Sequence, residues 1–98
     1  MKFHWDMIGE DVDVLTTHGP PMGILDKVYN ANVGDEALLN KTKQLKKLKL
    51  HCFGHIHNNY EYINFGTVEQ DGIIYSNASC VKDGDWGVLH NNGNIIEI

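Results

Sequence analysis

Apolar and polar positions divide this chain into two stretches of different character. Residues 12–16 (Val-Asp-Val-Leu-Thr) form a short β-branched run that predicts a strand. His18-Gly19-Pro20-Pro21 ends it, because proline has no amide proton and the residue before it avoids helical angles. A loop is expected from Gly19 to about Gly34, long enough to suggest a functional segment. Residues 35–47 predict a helix. Asp35 and Glu36 lie at its start and lysines at its end, as the helix dipole favours. Leu38, Leu45 and Leu48 fall near one face, with Leu39 beside it. Residues 49–53 (Lys-Leu-His-Cys-Phe) read as a second strand, stopped by Gly54. Residues 12–53 thus form a strand–helix–strand unit, with a right-handed crossover expected if the strands are parallel.

After residue 53 the runs shorten. Strand-like segments at 60–68, 73–76, 86–90 and 94–98 are separated by Asp71-Gly72, Asp83-Gly84 and Asn91-Asn92-Gly93, all hairpin-type signals. A β-meander is expected here. Residues 1–9, with Phe3, Trp5, Met7 and Ile8, read as a helix end or an irregular lead-in. The fold class is α/β, in one domain spanning 1–98.

At 98 residues the chain can bury a thin core. Its net charge of −5 argues against a nucleic-acid partner. The one basic cluster, Lys41, Lys43, Lys46, Lys47 and Lys49, reads as a solvated helix face. Two cysteines are too few for a disulfide scaffold. Cys52 is expected to be a buried thiol and Cys80 to lie near a loop. No signal-peptide pattern and no apolar run of about 20 residues is present, so a cytoplasmic protein without a membrane partner is expected. The sequons at Asn40 and Asn77 are read as chance.

Three histidines stand where chemistry usually sits in an open α/β sheet, beyond the carboxyl ends of strands. His18 follows the first strand, and His55 and His57 follow the second. In extended backbone residues i and i+2 face the same side, so His55 and His57 would share a cavity while Ile56 points away. Neutral imidazole suits Zn, Mn, Fe or Ni. A His-x-His pair alone is more often two polar surface residues. Its combination with His18 on an adjacent strand is the stronger signal. His4, His51 and His90 read as structural or solvated. Tyr60, Tyr62 and Phe65 are expected to pack on the sheet. Asp26 either hydrogen-bonds near the site or structures its loop.

The run Thr17-His18-Gly19-Pro20-Pro21, followed by Gly23-Ile24-Leu25-Asp26, resembles the fourth motif region of calcineurin-like metallophosphoesterases. Gly54-His55-Ile56-His57 resembles their fifth motif, and Asn77-Ala78-Ser79 a recurrent later stretch. The resemblance implies the C-terminal portion of a four-layer αββα sandwich. It implies a two-metal site, with His18 and His55 on one divalent ion and His57 on the other. It implies hydrolysis of phosphomonoesters or phosphodiesters. The family's first three motifs are not found in the chain and would lie before Met1, so no catalytic residue is assigned and weak activity is expected. Expected partners are a phosphoester substrate, if the site is completed, and an N-terminal half or second copy covering an exposed sheet. Two other readings stay open: a non-enzymatic metal-binding module, and a degenerate interaction module whose histidines bind nothing.

Overall fold

Two parallel strands and the helix between them frame the structure. This computed structural model describes residues 5–59, 62–80, 82 and 93–97. Strand β1 (Val14–Thr16) leads through a hairpin, β2 (Lys27–Val28) and β3 (Ala31–Asn32), to helix α1 (Glu36–Gln44). Strands β4 (Leu50–Phe53), β5 (Gly66–Gln70) and β6 (Ile73–Asn77) follow. The four-stranded sheet has the order β1-β4-β6-β5. β4 pairs in parallel with both β1 and β6, and β5 pairs antiparallel with β6. The α/β class expected from the sequence is borne out, as is the strand–helix–strand unit, whose two strands are parallel. Asp71-Gly72 makes the expected hairpin turn between β5 and β6, with both residues at positive φ.

Register places Leu15, His51 and Tyr75 side by side across the sheet. This row faces α1, because the Tyr75 hydroxyl lies 3.0 Å from Thr42 Oγ1 on the helix. Ile24, Leu45, Leu48, Phe53, Ile73 and Tyr75 form the buried core. Each contributes about 1.5–3 kcal/mol through burial. The other face is more open: Val14 and Thr16 are exposed, and Cys52 and Ile74 are half-buried. Cys52 was expected to be buried, but alternation along β4 turns it to this open face while His51 and Phe53 take the core side.

Other boundaries shift for local reasons. Residues 19–34 are not all loop, since they contain the β2–β3 hairpin. Asp35, expected in the first turn of the helix, instead caps α1, its side chain accepting from the Leu38 amide at 3.0 Å. The helix ends at Gln44 rather than 47, because Leu45 takes extended angles and bonds back to the Thr42 carbonyl. Among the described residues of the lead-in, Trp5–Met7 form a 3-10 turn. The strand expected at 60–68 is displaced to Gly66–Gln70, and residues 62–65 are irregular. There Tyr62 packs on the hairpin instead of the sheet: its hydroxyl meets Asn30 and Lys27 lies over its ring. Residues 94–97 form no strand. The run at 86–90, Asp83-Gly84, His4, His90 and Tyr60 lie outside the described residues. Among the lysines of the basic cluster, Lys43, Lys46, Lys47 and Lys49 are exposed, and Lys47 pairs loosely with Asp11 at 3.2 Å.

Candidate metal centre

The residues after β1 and β4 meet because the two strands are neighbours. The Thr17 amide bonds to the Cys52 carbonyl at 3.0 Å, and the Gly54 amide bonds to the His18 carbonyl at 3.1 Å. These two bonds carry the parallel ladder past the last strand residues. They bring the His18 and His55 rings to a centroid separation of 4.5 Å, with the planes tilted by 39°. Both side chains are exposed. Gly19 adjoins them, and a Cβ there would lie 4.0 Å from His55 Cδ2.

The backbone at His55 is not extended. Its φ is 71°, and the Ile56 amide bonds to the Gly54 carbonyl at 2.8 Å. An i to i+2 bond around a positive φ is a γ-turn of the strained hand. Such strain persists only where surrounding contacts over-determine it. The same-side argument for His55 and His57 therefore does not hold. Ile56, expected to point away, joins His18 and His55 in lining a cavity of about 470 Å³. Trp5, Pro20, Val33, Asp35 and Leu38 complete much of its wall. His57 follows half-buried, its carbonyl accepting from Asn64 Nδ2 at 2.9 Å.

The structure thus brings together His18 and His55. Among the described residues, no group of three or more His, Cys, Asp or Glu is placed to hold a metal ion. Two imidazoles side by side suit a divalent transition metal as one edge of its coordination shell. A closed shell needs at least two further ligands.

The frame around this pair is built largely from amides. Asn77 is fully buried, and its Nδ2 donates to the carbonyls of Leu25 at 3.1 Å and Ile56 at 2.9 Å. Its Oδ1 accepts from the Ser79 amide. Asn77 thereby ties the loop after β1 to the loop after β4. Asn64 accepts from the Lys27 amide and donates to the carbonyls of Lys27 and His57. Asn58 accepts from the amides of Asn64 and Phe65. Asp26 is the loop-structuring kind: its Oδ2 accepts from the amides of Gly23 and Gly34, both at 2.8 Å. Only Asn77 and Asp26 carried a sequence signal, through motif resemblance. Asn58 and Asn64 look like ordinary turn residues until the fold surrounds them.

Parallel strands whose carboxyl-end loops each present a histidine define an α/β protein with a loop-borne polar site. The chain resembles the C-terminal part of calcineurin-like metallophosphoesterases. It is similar to the metallophosphoesterase domain-containing protein 1 of Homo sapiens, at 44% identity over 77 residues. That match takes in 76% of this chain and 22% of that protein, and the Mus musculus counterpart matches equally. A UPF0046 protein of Caenorhabditis elegans is 44% identical over 57 residues, covering 57% of this chain and 14% of that protein. The chain therefore spans about a fifth of the length of the first of these relatives. No family model matches the chain, and no solved structure does so significantly. No helix among the described residues is long and apolar enough to cross a membrane.

Proposed function

We propose that this chain supplies His18, His55 and His57 to a divalent-metal site that hydrolyses phosphomonoesters or phosphodiesters. The observation that carries the reading is the juxtaposition of the His18 and His55 rings on adjacent strand ends, 4.5 Å apart. When bound, such metals polarise a phosphoryl oxygen and lower the pKa of a coordinated water. The chain's own contribution is positional. The bond from Gly54 to His18 and the strained turn at His55 hold two imidazoles at one place before any ligand arrives. Preorganisation of this kind lowers the cost of ordering ligands on binding. The cavity beside the rings gives a substrate a wall that includes Trp5, Pro20 and Ile56. With three imidazoles and no carboxylate assigned as ligands, turnover by this chain alone is expected to be small.

Calorimetric titration of the 98-residue chain with Mn or Zn tests this. Binding is expected, and it weakens in His18→Ala, His55→Ala and His57→Ala. Absence of binding, or equal binding after these substitutions, rejects the metal assignment. Assays on p-nitrophenyl phosphate and bis-p-nitrophenyl phosphate with Mn then measure hydrolysis directly. Robust turnover without added protein would show that the three histidines suffice.

A further inference from the structure

His51 is fully buried in β4, between Leu15 on one side and Tyr75 on the other. An imidazole at such a place loses its hydration and needs a partner. Its Nε2 lies 2.9 Å from Thr17 Oγ1. The direction of that bond follows from the next one. Thr17 Oγ1 donates its single proton to the Gly19 carbonyl at 2.7 Å. It must therefore accept from His51, which fixes the proton on Nε2 and leaves Nδ1 bare. Consistently, Nδ1 is buried without a hydrogen-bond partner.

The resulting chain runs from His51 Nε2–H to the Thr17 hydroxyl and on to the Gly19 carbonyl. It therefore grips the residues on both sides of His18. Backbone bonds from Thr17 to Cys52 and from Gly54 to His18 fasten the same tripeptide to β4. The backbone bonds set where the loop starts, and the relay sets how it turns at Gly19, beside the His55 ring. We infer that His51, acting through the Thr17 hydroxyl, is a positioning residue that holds His18 in register with His55. This rests on the metal-site reading for its consequence, but its geometry stands without a metal. An apolar pair of similar volume at these positions would fill the space with no buried polar atoms to satisfy. It would leave the Gly19 carbonyl without this donor.

Thr17→Val, Thr17→Ser and His51→Phe separate positioning from packing in the full chain. Three readouts are taken: the urea midpoint, the NMR signals of the His18 and His51 rings without metal, and Mn and Zn affinity by calorimetry. Wild type is expected to show the Nε2–H tautomer at His51. Thr17→Val should shift the His18 ring signals and weaken metal binding by about 10–100-fold, the range for groups that orient ligands. Thr17→Ser should restore both. The double variant Thr17→Val, His51→Phe should bind no more weakly than the weaker single one, because both cut the same relay. A folded Thr17→Val with unchanged His18 signals and unchanged affinity overturns the inference. So does an Nδ1–H tautomer at His51. If wild type binds neither metal, the metal reading fails, and the His18 signals of Thr17→Val still decide the positioning role. If His51→Phe does not fold, Thr17→Val and Thr17→Ser carry the test.

Discussion

Asn77 Nδ2 lies 2.9 Å from the carbonyl of Ile56, on the far side of the strained turn at His55. The same nitrogen holds Leu25, so a single buried amide spans the two loops that flank the candidate site.

Asn77→Ala should therefore be among the costlier substitutions here. It strips partners from two carbonyls and from the Ser79 amide in a buried setting. A loss of about 2–4 kcal/mol is expected, since each orphaned buried group costs roughly 1–3 kcal/mol and relaxation recovers part. Urea denaturation measures it. A loss within 0.5 kcal/mol, roughly the range of a neutral surface change, would mean that the loops hold together without this tie.

Gly34 is required for space. A Cβ there would overlap the Pro21 carbonyl, where Pro20 to Met22 pair with Asp35. Gly34→Ala should cost about 1–3 kcal/mol, the range for overpacking a tight contact. Amide exchange at Met22 and Asp35 should accelerate with it. Unchanged protection at both would contradict the close approach.

Tyr75 and Thr42 should respond unequally. Thr42 Oγ1 gives its proton to the Leu39 carbonyl, so the Tyr75 hydroxyl is the donor in their bond. Tyr75→Phe removes that donor cleanly and should cost about 1 kcal/mol. Thr42→Val instead strands a buried hydroxyl and should cost about 1–3 kcal/mol. Combining the two should cost less than their sum, as thermal denaturation of the four proteins can show.

Stability should also report on His51. Burial lowers its pKa from 6.5 to about 4. The unfolded chain binds this proton more readily than the folded one, so stability from this residue is fully present above pH 6.5 and is lost as pH falls towards about 4. The loss is roughly 3 kcal/mol at 1.36 kcal/mol per pH unit. Urea midpoints of wild type and His51→Phe across pH 7 to about 4 test the sign. The wild-type curve should fall more steeply than that of the variant. Parallel curves would show that His51 is freely protonated in the fold.

Much of the frame was legible in the order of residues. The β-branched run before His18, the acidic helix start at Asp35 and Glu36, the lysine-rich helix end and the Asp71-Gly72 turn each act within a few positions. Local chemistry therefore suffices to place β1, α1 and the β5–β6 hairpin. The helix end at Leu45 and the start of β5 were less legible. The helix end depends on which apolar side chains the core accepts, since Leu45 and Leu48 enter it past the last helical residue, whereas β5, half-buried at its first residue and exposed beyond, is placed by its pairing with β6.

The candidate site divides along the same line. Sequence alone determined that His18, His55 and His57 follow strands, because glycine and proline punctuate the chain beside them. It also carried the family resemblance, because each of those motifs is a contiguous run. Tertiary structure alone decided which histidines meet. Pairing of β1 with β4 sets His18 beside His55, while a γ-turn breaks the alternation that would have aligned His57. It likewise decided that His51 donates to Thr17 across 34 residues of sequence. A hydrogen bond of that kind has no sequence period, since it exists only once two strands have fixed their register.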